Sequence, residues 1–344
     1  MGLNGLISTQ NVARGEGGGG DTAMNRPITF PALGGGEHVE ITAAHGALHA
    51  FSTRSGSQFY IVCADAKTPT ASRRMGVDFW GGMNDIGTLG RATALARYEN
   101  RIAVSTIGGT LAVGSVDRPI AATLNIGNSP RGCLAFVSGN ILVVGTSSGS
   151  QDALHVVTFD DNKAVAQVEA THALLSVPNS IVASDKRVAV GEVAGNACVY
   201  SVLCTPHDDG RKTHSLVLTH IVPGAISVMA LSNDVLLVRD DSSAADVRVM
   251  RLKHDHAIHE TSIKCNNANV DEGSIACIEE DGGNPALVLY KSHDENSIKR
   301  LHPQRLVGVG DAPESDALGF VISVSGRNAV VTSRSTAQMW VLSY

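Results

Sequence analysis

Aromatic and basic residues are both scarce in this chain. Phe, Trp and Tyr make up 4% of the 344 residues, which is thin for a sugar-binding or base-stacking surface because such surfaces depend on exposed rings. Lys and Arg number 27 against 33 acidic residues, which gives a formal net charge of −6. Bulk attraction to nucleic-acid phosphates is therefore not expected, although a short basic loop at Arg73 and Arg74 remains.

Long apolar runs and secretory features are missing as well. No segment approaches the length of a membrane span. The first residues lack a basic start, and Leu6 stands where the myristoylation pattern requires Ser or Thr. Residues 1–25 contain a glycine-rich stretch and are expected to form a disordered tail. We expect a soluble intracellular protein, nuclear or cytoplasmic, with no membrane partner.

The six cysteines show no Cys-x-x-Cys spacing. They are scattered, mostly within strand-like segments, at Cys63, Cys133, Cys198, Cys204, Cys265 and Cys277. An even number permits disulfides, but an intracellular setting favours reduced thiols. We therefore predict six reduced cysteines that act as small core residues.

The chain does contain a repeated β-hairpin. Each copy is an alternating apolar run, a tight polar turn and a second alternating run, and the clearest copies span 102–113, 188–200 and 329–340. We count seven copies, with second strands about 40–50 residues apart, the period of four-stranded propeller blades. Those second strands end at Val62, Gly114, Val157, Tyr200, Met250, Leu301 and Trp340.

Further short strands complete the repeat. One strand precedes each hairpin, as at 132–136, and a fourth follows most of them, as at 120–124 and 216–219. The last repeat has no room for a fourth strand, so we predict that residues 27–30 supply it and close the ring, which would pair both otherwise bare edges. The sequence thus predicts an all-β protein, a single seven-bladed β-propeller over residues 26–344, with six blades as the alternative.

Residue clusters that could support catalysis or metal binding do not recur in a repeated register. His254, His256 and His259 form the densest group of potential metal ligands, but no Cys or carboxylate at a repeated spacing supports a metal, and a solvated edge strand is favoured. The acid pairs at 240–241, 271–272 and 279–281 are interpreted as solvated turns. No helix follows the glycine clusters, as a phosphate-binding loop would require.

We therefore assign no catalytic, cofactor-binding or metal-ligating residue and predict no cofactor. The alternative is a propeller hydrolase or lactonase with a metal site in its central channel. A bound metal ion in the purified protein would favour that enzyme.

Three residues are predicted to bind a partner. Trp80 lies in a connection between repeats, flanked by Phe79 and Met83, where a large apolar group is not needed for a hairpin and would suit a peptide-binding hot spot. A loop that folds back over its own blade is the competing interpretation. Arg91 and Arg131 precede first strands, where they could face the carboxylates of a ligand at the propeller mouth.

The repeats resemble the WD-repeat β-propellers over residues 27–344. Trp340 and Val341 stand where those repeats carry Trp-Asp, and Tyr200 and Met250 occupy the equivalent large-residue position. The pattern departs from the family because no Gly-His pair opens a blade, and Ala44-His45-Gly46 has the reverse order. The side-chain network that rigidifies each blade is therefore expected to be eroded.

The resemblance implies a non-enzymatic scaffold or adaptor subunit of a multiprotein complex. Propellers of this size with few appendages resemble the compact spindle-checkpoint and messenger-RNA-export types, which hold a short motif of a partner. Coat and nuclear-pore propellers of similar length imply instead that a partner donates a strand or a blade. Docking on the propeller face or addition of a strand at an edge are thus the two expected modes of binding.

Overall fold

The structure is a computed structural model that describes residues 38–65, 73–75, 92–306 and 320–343 with short gaps. The gaps are residues 46–47, 56–57, 118–121, 131, 150, 161–164, 185, 233, 241–245, 254–255, 266, 272–273, 282–283, 295–296, 302, 307–319, 326–327 and 334–338. The predicted tail and the predicted closing strand at 27–30 lie outside the described residues, so closure by that strand stays a prediction.

The described residues form 28 strands in seven antiparallel sheets. Sheet 1 contains β1 (His38–His45), β2 (Leu48–Ser55), β3 (Gln58–Asp65) and β4 (Arg73–Met75). Sheet 2 contains β5 (Ala92–Tyr98), β6 (Arg101–Thr106), β7 (Thr110–Ser115) and β8 (Ala122–Asn125). Sheet 3 contains β9 (Leu134–Ser138), β10 (Ile141–Ser147), β11 (Asp152–Asp160) and β12 (Val165–Ala173).

The remaining sheets follow the same order. Sheet 4 contains β13 (Pro178–Ser184), β14 (Arg187–Glu192), β15 (Asn196–Pro206) and β16 (Lys212–Pro223). Sheet 5 contains β17 (Ala225–Ser232), β18 (Val235–Asp240), β19 (Asp246–Leu252) and β20 (Ala257–Lys264). Sheet 6 contains β21 (Asn267–Asp271), β22 (Ser274–Asp281), β23 (Asn284–Asp294), β24 (Ser297–Arg300) and β25 (Gln304–Arg305). Sheet 7 contains β26 (Phe320–Ser325), β27 (Asn328–Ser333) and β28 (Met339–Ser343).

The sheets are arranged as the blades of a propeller. The first strand of each sheet contacts the first strand of the next, in the order β1, β5, β9, β13, β17, β21 and β26, and β26 also contacts β1. Within each sheet the strands follow one another as a meander, so the first strand is the inner one and the fourth is the outer one. The predicted all-β propeller is confirmed.

The core consists of the apolar layers between neighbouring sheets. One layer joins Val143 and Leu154 of sheet 3 to Val190 and Tyr200 of sheet 4, and equivalent layers join each of the other consecutive sheets from sheet 1 to sheet 7. The second strands are buried on both faces, and β10 is buried from Leu142 to Thr146. Such strands are nearly continuous apolar runs because each side chain meets a neighbouring sheet.

Six of the seven predicted hairpins are formed by the second and third strands of a sheet. Ile102 lies opposite Gly114, Val188 opposite Tyr200, and Val331 opposite Trp340. The predicted fourth strands at 120–124 and 216–219 correspond to β8 and β16, although β16 is much longer than its predicted segment.

The copy at 287–301 was placed one strand too late, since its two runs form β23 and β24, the third and fourth strands of sheet 6, and the run at 274–278 belongs to the second strand β22. The first strand β21 was missed because Asn267–Asp271 has only two apolar residues, Ala268 and Val270. Alternation and turn composition were therefore sufficient to locate the other six hairpins.

The second strands of sheets 3, 4 and 5 each end on a different polar contact, which agrees with the expected erosion of the repeat. Thr146 in β10 bonds the His155 ring at 2.9 Å, and Glu192 in β14 accepts the Ser176 N–H at 3.0 Å. In sheet 5, Asp240 pairs with Arg248 at 2.7 Å. These contacts hold equivalent positions with unrelated chemistry, so the sheets share an architecture and not a side-chain motif.

One disulfide corrects the prediction of six reduced cysteines. Cys265, in the connection between β20 and β21, is bonded to Cys277 in β22. Both are buried, and the bond joins the link between sheets 5 and 6 to the second strand of sheet 6. This pair could not be predicted from local pattern, because the two residues are 12 positions apart and meet only through sheet pairing.

Thiol titration should separate these cysteines into three groups. Cys204 is the exposed free thiol, whereas Cys63, Cys133 and Cys198 are buried. We expect one thiol per chain to react with Ellman's reagent in the folded protein, four in denaturant, and six after reduction. Six reactive thiols in denaturant without a reductant would contradict the disulfide, and the Cys204→Ser variant should lose the native reaction alone.

Candidate functional site: the two ends of the ring

The propeller has two chemically different ends. At one end of the ring, which we call the connection end, the first strand of each sheet starts and the second strand ends. The links between consecutive sheets also lie at this end. The opposite end, the hairpin end, carries the turns between first and second strands and between third and fourth strands. Asn179, near the start of β13, donates to the Ile226 carbonyl near the start of β17 at 2.9 Å, so these two first strands start at the same end of the ring.

Gly132 couples three sheets at the connection end. Its N–H donates to the Thr93 carbonyl of β5 at 3.2 Å, and its own carbonyl accepts the Ile181 N–H of β13 at 3.3 Å. The φ angle of Gly132 is +79°, a left-handed conformation that favours glycine because other residues have a Cβ clash there. The backbone is thus held in place between the inner strands of sheets 2, 3 and 4.

The predicted partner-binding residues Trp80, Arg91 and Arg131 lie outside the described residues. The described residues next to the two arginines are informative. Arg91 is followed by Ala92 and Thr93 at the start of β5, and Arg131 is followed by Gly132. Since Gly132 is bonded to Thr93, the structure brings together the chain segments that continue from both arginines.

An exposed apolar patch lies at the same end and was missed by the sequence analysis. It consists of Leu175 and Val177, in the link from sheet 3 to sheet 4, and Val193, in the second turn of sheet 4. Leu175 is 88% exposed and Val193 is 62% exposed. The run Leu174-Leu175-Ser176-Val177 was the available signal, because it is apolar although it connects two strands.

A buried carboxylate holds this patch in shape. Glu192 is 1% exposed, and its Oε2 accepts the Ser176 N–H at 3.0 Å. The Ser176 hydroxyl in turn accepts the Ala194 N–H at 3.0 Å, and the Val193 N–H donates to the Val177 carbonyl at 3.0 Å. The three apolar side chains are therefore presented by two loops that are tied to each other.

The patch adjoins the Gly132 segment. The Cys133 thiol lies 3.3 Å from the Pro178 carbonyl, directly after Val177. Together with the bond from Ile181 to Gly132, this buried contact places the exposed residues before β13 beside the Gly132 segment before β9. The patch can bind a segment that offers apolar side chains.

The hairpin end contains a polar groove of about 1100 Å³ between sheets 2, 3 and 4. Its polar groups are largely engaged with each other. Arg101 donates to the Gly139 carbonyl and lies over the Phe159 ring, 5.5 Å from its centre. Glu169 in β12 binds the His214 ring of β16 at 2.8 Å. These contacts fasten neighbouring sheets together.

The mouth of the central channel at the hairpin end is a smaller pocket of about 640 Å³. It is lined by the ends of first strands, including Tyr98, Val137 and Ser184, together with Lys186, Arg187 and Asp234. Among the residues that the structure describes, no group of three or more His, Cys, Asp or Glu side chains could hold a metal ion. Of the predicted histidine cluster, His254 lies outside the described residues and His256 is exposed.

The buried thiols are unsuited to act as nucleophiles. Burial raises the pKa of Cys133 to about 12. Burial, reinforced by the Glu192 carboxylate, raises the pKa of Cys198 to about 12 as well. The reactive form of cysteine is the thiolate, so both side chains stay protonated and inert near neutral pH.

The chain shares its fold with WD40 propellers. It aligns with a chain of the crystal structure of the Mitotic Checkpoint Complex at a TM-score of 0.62 and 11% identity, over 99% of each chain. RRP9 WD40 repeats align at a TM-score of 0.61 and 9% identity, over 92% of this chain and 99% of that chain. The WD40 domain of Toxoplasma gondii coronin aligns at 0.55 and 9% identity, over 93% and 83%.

No family model and no curated protein matches the sequence. At these identities the likeness concerns the fold. Within the described part of the chain, no helix is both long and apolar enough to cross a membrane.

Proposed function

We propose that this protein is a non-enzymatic scaffold subunit of a multiprotein complex and binds a partner segment at its connection end. The observation that carries the proposal is the patch of Leu175, Val177 and Val193, which is apolar, exposed and tied down by Glu192. A contiguous apolar surface of this kind, on a rigid support, is typical of an interaction site. The fold supports the same conclusion, since a propeller presents loops from several sheets on one face.

Trp80, Arg91 and Arg131 are proposed to extend this surface. The patch would bind apolar side chains, and the two arginines would bind carboxylates of the same segment by charge-assisted hydrogen bonds. The bond between Gly132 and Thr93 supports the pairing of the arginines, because it joins the backbone that follows each of them. The expected partner motif is therefore a short stretch that mixes acidic and apolar residues.

The finer proposal is a subunit of checkpoint or kinetochore type, or of nuclear-pore type, in the nucleus or cytoplasm. The likeness over the full chain to a component of the Mitotic Checkpoint Complex supports the checkpoint type. A propeller hydrolase or lactonase with a channel metal is the competing proposal. Metal analysis of the purified protein, together with the site of any bound ion, distinguishes the two.

Substitutions at the connection end should strongly reduce recovery of the partner. Tagged wild-type protein and the variants Trp80→Ala, Arg91→Ala with Arg131→Ala, and Leu175→Asp are purified from cells, and co-isolated proteins are quantified. A hot-spot side chain contributes about 2 kcal/mol or more, so recovery of the partner should fall about thirtyfold in each variant. The circular dichroism spectrum should not change, because Leu175 is exposed.

Arg211→Ala is the matched control. Arg211 is an exposed arginine at the opposite, hairpin end, with 83% of its side chain accessible. Its variant should recover the partner at the wild-type level. Equal recovery from wild type and all connection-end variants would overturn the proposed surface.

A further inference from the structure

The outer edge of sheet 4 differs from the outer edges of the other sheets. β16 is 12 residues long, whereas the fourth strands of sheets 1, 2 and 6 have three or four. It ends the order β13-β14-β15-β16, so one side of it faces away from the sheet. A long edge strand exposes backbone donors and acceptors that can pair with another strand.

The edge of β16 lacks the usual protection. Charged residues on outer strands prevent unwanted pairing, and they occur in β4, β12, β20 and β24. In β16, no Asp, Glu, Lys or Arg occurs between Thr213 and Pro223. Apolar side chains are exposed instead, with Val217 at 45%, Leu218 at 42% and Ile221 at 54%.

The hydrogen bonds of His214 show which backbone groups face outward. The His214 N–H donates to Glu169 Oε2 at 2.9 Å and so points away from β15. Backbone direction alternates along a strand, so the N–H and C=O groups of Leu216 and Leu218 also point outward. Glu169 thus covers the first of these donors, and no strand in the described part of the chain pairs with the outward groups of Leu216 and Leu218.

We infer that this edge is a self-association site at which β16 pairs antiparallel with β16 of a second copy of the chain. A strand that pairs with its own copy about a two-fold axis places like residues opposite each other, so any charge would meet the same charge. The stretch from Ser215 to Ile221 suits such pairing because it contains no Asp, Glu, Lys or Arg and four of its seven residues are apolar. Its neighbouring histidines are engaged within the subunit, His214 with Glu169 and His220 with the Lys253 carbonyl.

The outward groups fix the register of the pair. Leu216 of one copy would lie opposite Leu218 of the other and exchange two hydrogen bonds with it, and the symmetry-related pair adds two more. The two-fold axis then passes beside Val217, whose two copies face each other in a non-hydrogen-bonded pair. Because Val217 faces its own copy across the axis, a single substitution there changes both side chains of the contact.

Val217→Lys should dissociate the dimer. It places two ammonium groups directly opposite each other, and we expect dimer affinity to fall by about tenfold or more in sedimentation velocity. The matched control is Val168→Lys, an equally exposed valine on β12 with 41% accessibility, which should dimerise as the wild type does. A wild-type protein that stays monomeric at its highest soluble concentration overturns the inference, as does a dimer that Val217→Lys leaves intact.

A cross-link tests the register independently of stability. In a Cys204→Ser background, which removes the exposed native thiol, Val217→Cys should form a reducible covalent dimer under mild oxidation. Facing residues of a non-hydrogen-bonded pair have Cβ atoms about 4.5–5.5 Å apart, close to disulfide geometry. Val168→Cys in the same background should remain monomeric, and cross-linking of both cysteines to the same extent would overturn the inference. Partner recovery at the connection end is unaffected by either result.

Discussion

Replacement of Trp340 by alanine should lower the free energy of unfolding by about 3–5 kcal/mol, the cost of removing a large aromatic side chain from a packed core. Trp340 is completely buried in β28, in the layer between sheets 6 and 7. Its ring lies 6.1 Å from that of Phe320, and Leu287 and Val331 belong to the same layer. No neighbouring side chain can fill the cavity without moving a strand.

The measurement is equilibrium unfolding in urea, monitored by circular dichroism because Trp340 is one of only two tryptophans in the chain. Trp340→Phe is the informative companion, because it keeps most of the buried ring and should lose much less stability. Ile107→Ala is the surface control, since Ile107 is 59% exposed in a turn and should change stability by less than about 0.5 kcal/mol. If the Trp340→Ala and Ile107→Ala midpoints coincide, Trp340 does not pack in the core.

Titration of two buried thiols, Cys133 and Cys198, should by itself destabilise the protein by about 5 kcal/mol between pH 8 and pH 11. Burial raises the pKa of Cys133 and of Cys198 from 9.0 to about 12. Between those values the unfolded chain releases both protons and the folded chain keeps them, so stability is complete below pH 9 and falls as the pH rises. Each thiol contributes up to about 1.4 kcal/mol per pH unit.

Alanine at both positions should flatten this dependence. The variant with Cys133→Ala and Cys198→Ala is less stable at pH 8 because it loses buried sulfur atoms, but its loss of stability from pH 8 to pH 11 should be smaller by about 5 kcal/mol. The slope of stability against pH is therefore the informative quantity. Parallel slopes for the variant and the wild type would contradict the assignment to these thiols.

The hairpins could be predicted because they depend on local information. A run such as Ile102 to Val104, a polar turn and a second run specify two neighbouring strands, and their spacing specifies the radial repeat. Contacts between sheets carry no such local signal. A Cβ at Gly191 would lie 2.8 Å from the Ser227 Cα, and nothing near Gly191 in the sequence indicates that sheet 5 comes so close.

The candidate surfaces show the same division. Trp80, Arg91 and Arg131 were selected from composition and position in the repeat, and they stay predictions. The Leu175 patch was missed because its exposure depends on where Glu192 and Ser176 meet, 16 residues apart in the chain. The edge of β16 was predicted as a short segment, because hydrophobic periodicity marks a strand but does not show which of its sides remains unpaired.

Gly132 determines how the connection end would respond to a ligand. The N–H and the carbonyl of this one residue are bonded to strands of two other sheets, so this backbone has few alternative conformations in the unbound protein. Loops that are already ordered lose little conformational entropy when a complex forms, and the ordering penalty falls mainly on the incoming segment. Preordering that segment, for example by a staple or a proline at a compatible position, would therefore strengthen the complex more than further rigidification of the propeller.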